Sequence, residues 1–171
     1  EGRPELREFL AYIPDRTGLA AAMAERGYDP AMRATLSAVL QDQYKGLAVD
    51  QAVSANLDAL RQEGTLTVTT GHQLCLFTGP LYVPFKILNT IRLARGLSTP
   101  ERPVVPVFWM ATEDHDRAEI DHTWIGGKKV QWPGEASGAV GRLDLDGIEA
   151  AVAEAESLLG PGPHAAELRA L

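Results

Sequence analysis

Three stretches in the middle of this chain constrain its fold more than any other feature. Thr65-Leu66-Thr67-Val68-Thr69-Thr70 is short and β-branched, which suits a strand. Pro80 to Gly96 carries Leu81, Phe85, Leu88 and Ile91 at helical spacing. Arg92 and Arg95 fall in its last turn, where cations suit the helix dipole, and Gly96 is the stop. Pro103 to Met110 is a continuous apolar run, as expected of a strand covered on both faces. Strand, helix and strand predict a right-handed βαβ unit with parallel strands. Two prolines modify the pattern. Pro84, in the second turn of the helix, removes a backbone donor and is expected to bend it. Pro106 favours a sheet edge or a bulge.

Each strand-like run leads straight into a polar motif. The first is Thr70-Gly71-His72-Gln73 with Thr78-Gly79-Pro80-Leu81-Tyr82, and the second is Ala111-Thr112-Glu113-Asp114-His115-Asp116. Open α/β sheets bind ligands beyond the carboxyl ends of their strands. Both motifs are therefore expected at one sheet edge, converging on one pocket.

The first motif reads as a loop from Gly71 to Gly79, with a helix opening at Pro80. Unpaired N–H groups at that helix start, with Lys86 and Tyr82 four residues apart on one face, suit an anion; the alternative is a plain turn with Lys86 solvated. Neither a Walker loop nor a Gly-x-Gly-x-x-Gly fingerprint is present. His72 suits an acid, a base or a substrate donor, and equally a cap on a backbone carbonyl. Gln73 suits recognition of an amide or hydroxyl, or stitching of the loop backbone. Cys75, between Leu74 and Leu76, reads as a small buried residue.

The second motif opens a dense cluster: Glu113, Asp114, Asp116, Glu119 and Asp121 with Arg117, His115 and His122. Such sets serve as acid–base pairs, hydroxyl binders or metal ligands. A role is expected for at least one of Glu113, Asp114 and His115. Asp114 or Asp116 could instead cap a helix, and Glu119 and Asp121 read as solvated. No metal-ligand spacing supports a metal site. Trp109 and Trp132 read as packing residues, and Lys128 and Lys129 as solvated.

The flanks are helical. Thr17 to Arg26 is Ala-rich and stops at Gly27. Asp29-Pro30 is a cap and first-turn pair ahead of Met32, Leu36, Val39 and Leu40. Val49, Val53, Leu57 and Leu60 recur up to Gly64. Beyond the βαβ unit, Gly126-Gly127 joins Thr123-Trp124-Ile125 to Lys128–Trp132 as a hairpin. Gly134 to Gly141 is loop, Asp146 to Leu159 is helix, and Gly160-Pro161-Gly162-Pro163 breaks it. The net charge of -7 argues against a general nucleic-acid or anionic-membrane surface. One cysteine excludes an internal disulfide framework and fits a reducing cytoplasm. No apolar run approaches membrane-spanning length, and no secretory signal opens the chain. The start at Glu1 and the end inside a helix-like stretch, His164 to Leu171, suggest a piece of a longer protein.

Thr70-Gly71-His72-Gln73, Leu76-Phe77-Thr78-Gly79-Pro80-Leu81-Tyr82 and Lys86 resemble the bacillithiol biosynthesis cysteine-adding enzymes, a family of cysteine ligases. So do Val105-Pro106-Val107-Phe108-Trp109-Met110-Ala111 and Glu113-Asp114-His115-Asp116. Gly127–Trp132 and Ser137–Arg142 resemble its Bacteroidetes-type branch. The resemblance implies an α/β, Rossmann-like core of nucleotidylyltransferase type with a parallel sheet. Residues 1–64 would form an N-terminal helical segment, 65–122 the first βαβ part of an incomplete core, and 123–171 a β-hairpin insertion and truncated connective segment. It implies a cytoplasmic enzyme joining cysteine to glucosaminyl-malate, and a homodimer through a C-terminal coiled coil beyond this chain.

Within that resemblance, Gly79, Pro80 and Lys86 would hold an anionic group, either nucleotide phosphate or malate carboxylate. Gly71, Gln73, Tyr82, Glu113 and Asp116 would contact substrate or nucleotide. His115, with a reference pKa of about 6.5, would accept the proton of the attacking amine, Glu113 or Asp114 would hold the amino group of cysteine or sugar hydroxyls, and Asp114 and His72 are the further catalytic candidates. The carboxyl needs activation by adenylation or phosphorylation; the sequence leaves the cofactor open between ATP and another nucleotide, because the synthetase signatures that would assign ATP are missing. The chain departs from the family pattern at His72 (commonly Gln), at Leu74-Cys75 (commonly Ala-Gly) and at Phe85 (commonly Tyr). A non-catalytic nucleotide- or metabolite-binding module and a metal-dependent hydrolase built on the acidic cluster are the competing classes.

Overall fold

The computed structural model describes residues 3–170. A 3-10 turn at Pro4–Phe9 precedes α1 (Arg16–Glu25), α2 (Pro30–Gln43) and α3 (Gln51–Ala59). An aspartate opens each of these helices by accepting an otherwise unpaired backbone N–H. Asp15 accepts from Gly18 at 2.8 Å, Asp29 from Ala31 at 2.8 Å and Asp50 from Val53 at 2.9 Å. The apolar recurrence in α2 locates the helix but not its buried side. Met32, Leu36 and Val39 are exposed, while Arg33, Ser37 and Leu40 are the partly covered positions. Arg33 turns inward because its guanidinium donates to Leu60 O at 3.0 Å and Thr65 O at 2.7 Å, and lies 4.9 Å over the Tyr28 ring.

The βαβ unit follows as β1 (Leu66–His72), α4 (Tyr82–Leu97) and β2 (Val104–Met110). Leu66 N donates to Pro103 O at 3.0 Å and Ala111 N to His72 O at 3.1 Å, so β1 and β2 run parallel. They form a two-stranded sheet, which leaves Pro106 on an edge strand where its missing N–H is tolerated.

Strand β1 extends through Gly71 and His72, which the sequence placed in a loop. Helix α4 opens at Tyr82 instead of Pro80, so Pro84 is its third residue. There a helix has no intrahelical use for the N–H, so Pro84 removes no helical hydrogen bond. The stripe Leu81, Phe85 and Leu88 is exposed, whereas Val83, Thr90 and Ala94 are buried. Strand β2 is covered only in its first half: Val104 and Val105 are buried, while Phe108, Trp109 and Met110 are exposed.

The chain clusters into two compact units. One comprises the residues up to Val68 with Thr90–Val107, and the other Thr69–Asn89 with the residues from Phe108 onward. In the first, Leu60, Ala94, Val104 and Val105 are buried, and Thr65 Oγ1 donates to Ala59 O at 2.7 Å. Two clefts, of about 630 and 310 Å³, are lined by residues of this unit, among them Arg26, Tyr28, Arg33 and Leu66.

The second unit adds α5 (Arg117–Ile120), β3 (His122–Ile125), β4 (Lys128–Gln131), α6 (Ile148–Leu158) and α7 (Ala165–Arg169). Strands β3 and β4 pair antiparallel, with Ile125 opposite Lys128. Gly126 and Gly127 both hold positive φ (56° and 80°), as this two-residue turn requires. Ile120, Val130, Trp132, Val140, Ala151 and Ala155 form one buried cluster. The Trp132 indole within it donates to Asp146 O at 2.9 Å, so the buried ring keeps its hydrogen bond. Trp132 therefore packs as expected, whereas Trp109 is 59% exposed. No helix among the described residues is long and apolar enough to cross a membrane.

Candidate functional site

All the predicted site residues fall in the second unit. Pairing of β1 with β2 brings the end of the first motif to the start of the second. Gly71 permits the close approach. A Cβ there would lie 3.1 Å from Trp109 O and 3.2 Å from Trp109 Cβ. Lys86, one turn into α4, donates to Gly71 O at 2.7 Å and lies 5.9 Å over the Tyr82 ring. It therefore braces the end of β1.

His72 is held from both ring nitrogens. Nε2 lies 2.6 Å from the Tyr82 hydroxyl and Nδ1 lies 3.5 Å from Cys75 Sγ. Cys75 packs against the buried cluster, and burial, followed by the charge of Glu119, pushes its thiol up from the ordinary range. It is a protonated thiol at neutral pH, not a thiolate. The bend behind it is tight. Phe77, Thr78 and Gly79 all have positive φ, and a Cβ on Gly79 would lie 2.5 Å from Cys75 Cβ. Such a run of left-handed residues persists only where its surroundings hold it. Gly79 N donates to Leu76 O at 3.0 Å and Val83 N to Pro80 O at 2.9 Å. These N–H groups of the expected anion cradle are thus engaged within the loop.

Gln73 joins the two motifs. Its Nε2 donates to Asp114 Oδ2 at 3.2 Å, across 41 residues, and to Glu119 Oε2 at 2.5 Å, across 46. Asp114 Oδ1 accepts from Asp116 N at 3.0 Å. That bond holds the Asp114 carboxyl below the usual carboxylate range. Desolvation opposes the shift, and the His115 N–H, the Gln73 amide and the His115 charge add to it. Asp114 does not cap α5, whose N-cap Asp116 makes no side-chain capping bond.

Two anchors fix this loop. Val140 N donates to Asp114 O at 2.7 Å and Gly141 N to Thr112 O at 2.9 Å. Arg117 donates to Trp132 O at 3.2 Å, Pro133 O at 2.9 Å and Gly134 O, and stacks 4.7 Å over the Trp132 ring. Ile120 is buried beside it in sequence.

Of the predicted residues, Gly71, His72, Gln73, Tyr82, Lys86 and Asp114 are tied into this network. Glu113, His115 and Asp116 present exposed side chains on the same loop. Gly79 and Pro80 shape the bend before α4. The sequence places Glu119 in solvent. It is exposed, yet it makes the shortest bond to Gln73. Its one available signal was its place between Arg117 and Ile120, both on a single turn of helix that ties into the core. No group of three or more His, Cys, Asp or Glu side chains among the described residues could hold a metal ion. None of these site residues lines either cleft of the first unit.

The family model described as bacillithiol biosynthesis BshC, N-terminal Rossmann-like domain, matches residues 1–171. Among the similar curated proteins are three named "Putative cysteine ligase BshC". The one from Cytophaga hutchinsonii is 45% identical over 145 residues, 84% of this chain and 28% of its own length. That from Christiangramia forsetii is 41% identical over 175 residues, 98% of this chain and 32% of its own. That from Flavobacterium johnsoniae is 39% identical over 150 residues, 85% of this chain and 28% of its own. The chain thus spans about a third or less of the length of these relatives.

Proposed function

The chain belongs to the BshC family as its N-terminal Rossmann-like domain, and from that premise we propose that the protein it belongs to is a cytoplasmic ligase. It would join cysteine to glucosaminyl-malate through an amide bond in the last step of bacillithiol formation. The observation that carries this reading is the forked bond from Gln73 to Asp114 and Glu119, which draws the two family motifs into one polar site.

Amide formation needs an activated carboxyl, because hydroxide is a poor leaving group. A nucleotide would supply that activation. The groups expected to hold its phosphates are engaged elsewhere, Gly79 N on Leu76 O and Lys86 on Gly71 O. The residues of this chain supply the other half of the reaction. His115 is exposed beside Asp114 and takes the proton from the attacking amine. Asp114 stays ionised at working pH because backbone N–H groups hold its charged form, and with Glu113 it receives the amino group or the sugar hydroxyls. His72, oriented by Tyr82, lies at the same strand end.

The test is a thiol-product assay on the full-length protein with cysteine and glucosaminyl-malate, with and without ATP. The expected result is the amide product. His115→Ala should lower turnover roughly 10²–10⁴-fold, as loss of a placed acid–base group does. Unchanged turnover in that variant removes the role from His115. Binding of the substrates without turnover favours a binding module instead.

A further inference from the structure

We propose that Glu119 is a positioning residue of this site: with Asp114 it fixes the Gln73 amide so that its carbonyl oxygen is presented to the substrate as a hydrogen-bond acceptor. The proposal rests on the reading above that this site binds the ligase substrates.

An ionised carboxylate only accepts hydrogen bonds, and a glutamine side chain has one end that donates and one that accepts. Asp114 Oδ2 at 3.2 Å and Glu119 Oε2 at 2.5 Å both face the same end of Gln73. Only the NH₂ group satisfies that environment, so the orientation of the amide follows from its neighbours. Its Oε1 has no protein donor among the described residues.

The two carboxylates do unequal work. The bond to Asp114 is long, and Asp114 is already held by the backbone of Asp116. The bond to Glu119 is short and charge-assisted, the stronger kind. Glu119 is also presented on a turn that cannot easily withdraw. Helix α5 is tied down by Arg117 on three carbonyls and by Ile120 in the buried cluster. Without Glu119, one long bond remains to stop the amide from turning over and offering its NH₂ where an acceptor is needed. An acceptor in this place reads an amine N–H or a hydroxyl of the substrate, the groups an amino-sugar acid carries.

The experiment uses full-length protein labelled with ¹⁵N-glutamine, with Glu119→Ala, Glu119→Gln and Gln73→Glu. The last variant assigns the Gln73 amide resonance by removing it. The expected result is a Gln73 resonance displaced in Glu119→Ala and close to wild type in Glu119→Gln, whose own carbonyl oxygen still accepts. In turnover, Glu119→Ala should raise the KM for glucosaminyl-malate roughly three- to tenfold, the worth of one hydrogen bond, with kcat nearly unchanged. Glu119→Gln should recover most of that loss. An unmoved resonance in Glu119→Ala overturns the proposal. So does an equal KM loss in both Glu119 variants, or a loss of kcat and melting temperature together that marks a structural role only. A wild-type protein without turnover refutes the ligase reading instead, and the Gln73 resonance then decides the role of Glu119 by itself.

Discussion

Asp114 keeps its charge because backbone N–H groups point at it, the one from Asp116 foremost. Its folded carboxyl lies below the unfolded value of about 3.9. The stabilisation that accompanies such a shift is complete above the unfolded value and is lost as pH falls through the folded one. Asp114→Asn should therefore weaken the fold at neutral pH, and the gap between variant and wild type should close in acid. Denaturant titrations at a series of pH values check this; a gap that stays constant into acid means that shape and not charge holds the loop. Cys75 shifts the other way. Burial, then the charge of Glu119, keeps its thiol protonated. Iodoacetamide at about pH 8 should modify Cys75 at least several-fold more slowly in the native chain than in urea. Equal rates would mean that the thiol is neither buried nor near a negative charge in solution.

The segment of chain from Ser137 to Arg142 has no role that its composition announces, yet it buttresses the second motif. Val140 and Gly141 donate to the carbonyls of Asp114 and Thr112, and a Cβ on Gly141 would sit 2.6 Å from Thr112 Cβ. Gly141→Ala must push that loop away from its brace. The expected cost is roughly 1–3 kcal/mol, the range for overpacking, read as a fall in denaturant midpoint at unchanged slope. If the midpoint holds, the strap is looser in solution than its hydrogen bonds imply. The Asp29-Pro30 helix start and the Gly126-Gly127 turn were legible because each is written by adjacent residues. The buried faces of α2 and α4 were not. Arg33 turns inward for two carbonyls supplied by Leu60 and Thr65, and α4 buries Val83 and Ala94 while Phe85 stays outside. Pro80 is a good first residue, so the sequence alone places the start of α4 two residues early, and from that start Pro84 falls in the second turn. At the site, the strand-end logic found Gln73 and Asp114. Glu119 escaped it because a bond across 46 residues leaves no periodic trace.

At the scale of the whole molecule, large apolar side chains stand exposed among the described residues of both units. Within the second unit, Phe85 and Leu88 lie exposed on α4 with Leu81 exposed just ahead of it, and Phe108, Trp109 and Met110 lie open on β2. Within the first unit, Met32, Leu36 and Val39 do the same on α2. Periodic apolar residues at helical spacing are a pattern for burial, and contiguous apolar patches drive association or dye binding. The 171-residue chain by itself should therefore enhance the fluorescence of anilinonaphthalene sulfonate and self-associate at micromolar concentration, as read by light scattering. Phe85→Lys with Leu88→Lys should reduce both signals. Because these side chains are largely outside the packed interior, the pair should change stability by no more than about 1 kcal/mol, as surface substitutions do. A double variant that unfolds would mean that this face of α4 is packed in solution. A double variant that keeps the full dye signal would move the sticky surface to β2 or α2, where Met110→Lys and Met32→Lys would locate it.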